Sequence, residues 1–319
     1  MDAGTDATTT PGRMPAAEPV IELRNYVKHY GTVEAVRGID LTVNKGEVFG
    51  FLGPNGAGKT TTIRTMLDYI RRTDGEVWVL GLDSHKDTKE IRKRIGYLPG
   101  EFGLYEGLSV RTFLLYLLNV RGVPEKETRM LKLAAYFDLE LDRKIRELSK
   151  GNRQKVGLVQ AFMHDPELVI LDEPTAGLDP LIQQKFYRMV VEDSDNGRTI
   201  FMSSHVLAEV EHICDRVAII SEGKLVLVDR IDALKDKVGK ILSVTFNEIV
   251  AREELAIPGV EDLEGDGKSY KMTVRGNIDS VIKRVAARSV QSMTVETYSL
   301  EELFLELYNH GQSEGGDAR

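Results

Sequence analysis

The chain of 319 residues is 42% hydrophobic and 29% charged, the balance of an ordinary soluble protein with room for one large domain or two smaller ones. Its net charge of −8 argues against a dedicated nucleic-acid surface, which is usually basic, and its single cysteine, Cys214, excludes an internal disulfide and fits a reducing cytosol. The longest apolar candidate, Phe113 to Val120, falls far short of the ~18 residues a spanning helix needs, and the polar N-terminus shows no secretory signal.

Residues 1–17 are rich in Thr, Ala, Gly, Pro and Asp and lack periodicity, which predicts a disordered tail. Order is expected from near Val20. Val20 to Arg24 and Ile39 to Val43 alternate apolar and polar residues, as strands with one wet face do. Gly46 to Leu52 is an apolar, strand-like run, and Thr61 to Leu67 has helical character. From about Glu90 to Arg146 the pattern is helical, clearest over Val110 to Leu118 and Met130 to Leu141, with Pro124 at the break between them. Strand and helix then alternate: strands at Leu168 to Leu171, Thr199 to Met202 and Val217 to Ile220, helices at Leu181 to Val191 and Val206 to Ile213. That alternation implies a largely parallel sheet covered by helices. Beyond Lys237 the character changes. Strands are expected at Ile241 to Phe246, Tyr270 to Val274 and Met293 to Val295, and helices at Ile278 to Ala287 and Leu300 to Tyr308. They predict a small α+β domain over 237–310 and a flexible tail over 311–319. No repeat stands out at periods of about 20–50 residues.

Between the strand ending at Leu52 and the helix from Thr61 lie Gly53-Pro54-Asn55-Gly56-Ala57-Gly58-Lys59-Thr60. They match G-x-x-x-x-G-K-[ST], a phosphate-cradling loop, in the strand–turn–helix context that the motif requires. Glycines let backbone N–H groups converge on an anion, and the helix N-terminus adds a favourable dipole. Asn55, Gly56, Ala57, Gly58, Lys59, Thr60 and Thr61 are therefore candidates to bind a nucleoside triphosphate. Lys59 is expected to reach the β- and γ-phosphates and the Thr60 hydroxyl to ligate magnesium. The competing reading is a glycine turn joining a core strand to a core helix.

Leu168-Val169-Ile170-Leu171-Asp172-Glu173 is four apolar residues followed by two acids. A strand buried on both faces should not end in two carboxylates without a purpose. Asp172 is a candidate to hold magnesium, and Glu173 to orient and polarise an attacking water. The plainer alternative is a strand that exits into solvent. His29, His85, His164, His212 and His310 form no metal-ligand spacing and read as surface residues.

Further segments carry a family likeness. Leu148-Ser149-Lys150-Gly151-Asn152-Arg153-Gln154-Lys155 resembles the LSGGQ signature of the ATP-binding cassette (ABC) family and lies just upstream of Asp172-Glu173. Pro174 to Pro180 resembles its D-loop, His205 after Ser203-Ser204 its switch histidine, and Tyr30 before Gly31 the aromatic that stacks on adenine. The ordered motifs span roughly residues 20–235. The resemblance implies an α/β fold: a P-loop NTPase cassette over 18–236 with a mainly parallel sheet core, an antiparallel N-terminal β part and a helical subdomain at about 104–165, followed by the small C-terminal domain. It implies ATP hydrolysis with magnesium in a head-to-tail homodimer. One subunit supplies the phosphate loop, Asp172, Glu173 and His205; the partner supplies Ser149 and Gly151. Asp179 reads both as a plain helix cap and as an interface residue.

The chain departs from the family pattern in two places. Gly100 stands where a glutamine is usual, and Glu101 could take over that role at the metal if the loop shifts by one residue. Lys150 and Asn152 replace the usual glycine and glutamine of the signature. Ile95 to Pro99, the Lys150 to Lys155 variant and the ending Leu300 to Leu305 resemble bacterial exporter ATPases of the drug and antibiotic efflux group. That likeness implies separate integral membrane permease subunits, docking against the insert between Leu104 and Arg146, with Tyr105, Leu108 and Phe113 to Tyr116 as contact or core residues. It places the chain peripherally at the cytoplasmic face of the membrane, without nucleic acid. The rival readings are a soluble cassette ATPase acting on the ribosome or DNA, and a weakly hydrolysing regulator.

Overall fold

Alternating residues carry the chain first through β1 (Pro19–Tyr30) and β2 (Val33–Asn44), an antiparallel pair in which Ile21 opposes Val43 and Leu23 opposes Leu41. Gly31, at φ 59°, supplies the positive φ that a tight hairpin requires. The structure, a computed structural model, describes residues 18–297 apart from 102 and 277. The disordered stretch expected at 1–17, the helix expected at Leu300 to Tyr308 and the tail at 311–319 lie outside the described residues.

β3 (Val48–Leu52) has every residue buried and leads through the glycine-rich loop into α1 (Lys59–Met66). β4 (Asp74–Val79) and β5 (Leu82–Asp83) extend the antiparallel sheet to the order β2-β1-β4-β5. After α2 (Thr88–Arg94) comes β6 (Ile95–Leu98), which pairs parallel with the later strand β7 (Leu168–Asp172). β6 corrects the expectation of continuous helix from Glu90: a run of four residues, three buried and Tyr97 half-buried, is too short to show a period that distinguishes strand from helix. Gly96 lets this strand press on the helical layer, since a Cβ there would sit 1.9 Å from the Ala161 carbonyl oxygen.

The insert consists of α3 (Val110–Arg121), capped by Ser109, and α4 (Met130–Tyr136), followed by α5 (Lys150–Phe162). α4 is shorter than the Met130 to Leu141 expected. Asp138 turns to φ 52°, and the Leu139 N–H bonds the Ala134 carbonyl at 2.8 Å, a left-handed closure that ends a helix whatever apolar residues follow. Then come α6 (Pro180–Asp195), β8 (Thr199–Ser204), α7 (Leu207–Ile213), β9 (Arg216–Ser221) and β10 (Lys224–Arg230). The main sheet has the order β10-β9-β3-β8-β7-β6, parallel except for β10. Along β7 and β8 the side chains part by period two. Val169, Leu171, Ile200 and Met202 enter a core shared with α3 to α7, while Leu168, Ile170 and Phe201 enter one shared with α1 and the antiparallel sheet.

α8 (Ile231–Val238) leads to a third sheet of order β12-β13-β11-β14, built from β11 (Lys240–Phe246), β12 (Val260–Asp266), β13 (Ser269–Val274) and β14 (Val290–Thr297). With α9 (Arg252–Leu255) and α10 (Ile278–Ala286) it encloses its own core, which includes Leu242, Phe246, Met272 and Val281. The C-terminal ends of β3, β7 and β8 lie side by side in the main sheet, at the edge where open α/β sheets carry their ligands.

Candidate functional site

The loop after β3 folds as it does because its glycines fit where other residues do not. A Cβ on Gly53 would lie 2.3 Å from the Ile220 carbonyl oxygen; Gly58, at φ 113°, would bring one within 2.8 Å of the Ala35 carbonyl. The tight turn leaves Asn55 and Gly56 exposed and Ala57, Gly58 and Lys59 buried, with Thr60 and Thr61 half-buried at the start of α1. Lys59 Nζ donates to the Gly53 and Pro54 carbonyls at 2.6 and 3.2 Å and lies 3.4 Å from Glu173 Oε1.

Asp172 ends β7 with 1% of its surface exposed, and both of its carboxylate oxygens accept hydrogen bonds. Thr60 Oγ1 donates to one at 2.9 Å and Ser203 Oγ to the other at 2.6 Å. The neighbouring Tyr97 hydroxyl is held above its ordinary pKa by burial and by the Asp172 charge. Glu173 adopts φ 51°, a left-handed conformation that costs a non-glycine residue about 1–3 kcal/mol and persists only where its surroundings hold it. They do so here: its N–H donates to Ser203 Oγ and O at 3.1 and 3.3 Å, and its carbonyl accepts from Gln154 Nε2 at 3.3 Å. Its side chain meets His205 Nδ1 at 2.7 Å. Charge therefore collects where the strands end, with Lys59, Glu173 and His205 in one chain of contacts.

Lys59, Thr60, Asp172, Glu173 and His205 are thus brought together. No hydrogen bond or ion pair among the described residues joins Tyr30, Ser149, Gly151 or Asp179 to that group. Tyr30 closes β1 with 46% of its surface exposed and Lys28 Nζ 4.8 Å from its ring centre. Ser149 is exposed and caps α5, accepting from Asn152 N at 3.3 Å. Asp179 caps α6 through Ile182 N at 3.0 Å, with Pro180 in the first turn. Gly100 lies against the site: a Cβ there would be 3.3 Å from Asp172 Oδ2. Glu101 is exposed and makes no hydrogen bond or ion pair among the described residues.

Sequence reasoning missed Ser203, which stitches Asp172 and Glu173 to β8, and Gln154, which ties α5 to the turn after β7 and is 6% exposed. Both sat inside quoted motifs, but only the paired strands reveal what their side chains reach. His164, expected at the surface, is half-buried. Its Nε2 lies 3.0 Å from the Ile95 carbonyl, and its imidazole pKa is lowered to about 4 by burial and by Arg121 and Arg198. In the insert, Phe113 and Leu114 are core residues, whereas Tyr105 and Tyr116 meet edge to face at 5.8 Å with 58% and 46% of their surfaces exposed. Cys214 is buried and its thiol pKa is pushed up.

A family model described as ABC transporter matches residues 36–176. The bacitracin transport ATP-binding protein BcrA of Bacillus licheniformis is 33% identical over 311 residues, covering 92% of this chain and 98% of that one. The linearmycin resistance ATP-binding protein LnrL of Bacillus subtilis (strain 168) is 30% identical over 304 residues, covering 90% and 98%. Among solved structures, an ATP binding subunit of an ABC transporter superposes with a TM-score of 0.65 at 29% identity, covering 68% of this chain and 92% of that one.

Proposed function

The chain belongs to the ATP-binding subunits of the ABC transporter family, and from that premise we propose that it hydrolyses ATP between two copies of itself to drive an exporter with separate membrane permeases. The observation that carries this reading is the bonded group at the ends of three adjacent parallel strands. Lys59 stands ready to neutralise the γ-phosphoryl group, Glu173 to polarise the attacking water and His205 to orient both. Thr60 and Asp172, bonded to each other at 2.9 Å, offer two hard oxygen donors of the kind that would hold magnesium. Magnesium held by Thr60 and Asp172 would supply charge neutralisation to the phosphoryl group being transferred. Glu101, one residue past Gly100, is proposed as an auxiliary ligand.

The residues left apart in a single chain fit a second copy. Ser149 with Gly151 at the start of α5 forms an anion site for the partner's triphosphate; Asp179 faces the same interface, and the exposed ring of Tyr30 offers a stacking face to adenine. We assign the cassette to 18–236 and a separate small domain to 237–310. No helix among the described residues is long and apolar enough to cross a membrane. Attachment at the cytoplasmic face is therefore proposed to run through the permease, with Tyr105 and Tyr116 on the docking side. The names of the two relatives support an antibiotic cargo, and a drug or lipid-like cargo remains part of the proposal. Their end-to-end coverage fits this reading better than a ribosome- or DNA-acting ATPase.

Glu173→Gln tests the centre of the proposal. It should retain ATP binding, trap a dimer visible by size-exclusion chromatography, and lose on the order of 10²–10³ in turnover. Full-rate phosphate release by that variant would refute the assignment. Co-purification with an integral membrane partner would support export, and co-sedimentation with ribosomes would oppose it.

A further inference from the structure

Behind the contact between Glu173 and His205 lies a second bridge. Glu209, half-buried on α7, accepts from Thr175 Oγ1 at 2.5 Å on one carboxylate oxygen and from Ser204 Oγ at 2.7 Å on the other. Thr175 lies two residues beyond Glu173, in the turn after β7. Ser204 immediately precedes His205, at the end of β8. The result is a closed ring, with Glu173 touching His205 in front and Thr175 tied to Ser204 through Glu209 behind. Both rear bonds end on a carboxylate, the stronger class of hydrogen bond.

The Ser204 hydroxyl has little freedom left. While donating to Glu209 it accepts from Val206 N at 2.9 Å, closing a serine turn around His205. Its carbonyl accepts from Gly53 N at 3.2 Å, so the ring reaches the first glycine of the phosphate loop. Ser203 fixes the register of the two strands; Glu209 fixes the two turns beyond them.

We infer that Glu209 is a positioning residue for ATP hydrolysis, holding the turn that bears Glu173 and the turn that bears His205 at one separation. The inference rests on the roles given to those two residues above. It adds a group that touches neither water nor nucleotide and acts through both turns.

The test compares Glu209→Ala, Glu209→Gln and Thr175→Val in the full chain, by steady-state phosphate release and thermal melting. Glutamine keeps both contacts, because its amide donates to Thr175 Oγ1 while its carbonyl accepts from Ser204. Alanine should lower kcat ten- to a hundredfold, up to the scale of a misplacement of about 1 Å, with KM for ATP within about twofold. Thr175→Val should reproduce part of that loss, and glutamine should recover most of it. A purely structural role would lower Tm and leave kcat per folded molecule unchanged. That outcome, equal losses in the glutamine and alanine variants, or kcat and KM moving together overturns the inference. Should Glu209→Ala fail to fold, Thr175→Val, which removes a single hydroxyl, decides alone, and wild-type kcat there overturns it. Glu173→Gln assayed alongside separates the two readings. Full turnover in that variant sinks the roles above, whereas lost turnover there with wild-type kcat in Glu209→Ala sinks only this inference.

Discussion

The main sheet and the C-terminal sheet solve the same burial problem in opposite ways. In β3, β7 and β8 every residue is buried, so polar groups are driven to the strand ends, where Asp172, Ser203 and Ser204 are the last residues before the loops. In β11 the burial alternates along the strand, and the described side chains of β14 are half-buried or exposed on both faces. Polar residues there are spread over a wet face. A sheet covered on both sides concentrates charge at one edge, where the candidate site lies; a sheet with a wet face spreads its polar residues along that face instead.

The sharpest way to break this contrast is to remove charge from the crowded edge. Lys59→Ala should abolish nucleotide binding in a titration with a fluorescent ATP analogue; tight binding by that variant would separate the phosphate loop from the chemistry. The next test is a matched pair of core truncations. Phe201, stacked on Phe49 with ring centres 5.9 Å apart, should lose about 3–5 kcal/mol on replacement by alanine, and Met272, 1% exposed in the C-terminal core, about 2–5 kcal/mol, both read from urea denaturation. Only Phe201→Ala should also disturb ATP turnover at 25 °C. A fall in kcat with Met272→Ala would show that the two sheets are coupled.

The smallest effect concerns pH. The unfolded chain protonates His164 near its ordinary value of 6.5, whereas the folded protein resists until about 4. Between those values the unfolded state binds more protons, so stability should fall as pH drops through that window and level off below it. His164→Gln should flatten that part of the slope in urea midpoints measured from pH 7 to pH 4. An unchanged slope would show that His164 does not contribute it.

What was legible in the sequence was contiguous. The loop from Gly53 to Thr60 and the Asp172-Glu173 pair follow strands whose apolar runs are unambiguous, so their meeting at one edge could be anticipated. β6 was hidden because a run of four largely buried residues is too short to carry a periodicity. β4, β10 and β12 were not read as strands: β4 opens on Asp74-Gly75-Glu76 and pairs with the distant β1, β12 carries Glu261, Asp262 and Glu264, and β10 is half-buried or exposed along its length, although β10 and β12 form hairpins with the neighbouring β9 and β13. Gln154, Ser203 and Glu209 escaped for a different reason. Each acts across a tertiary contact, and Glu209 gains its meaning only when α7 sets it beside a turn 34 residues earlier.

The lone thiol of the chain lies under β3, where a Cβ on Gly50 would come within 3.1 Å of Cys214 Sγ. Shielded and protonated, it should ignore alkylating reagents while α7 stays packed on β3, so its modification rate clocks how often that helix lifts. The same silence leaves the surface clear for probes: a cysteine introduced on α5 or in the turn after β7 could carry a dye or spin label free of background and report how far two copies approach each other.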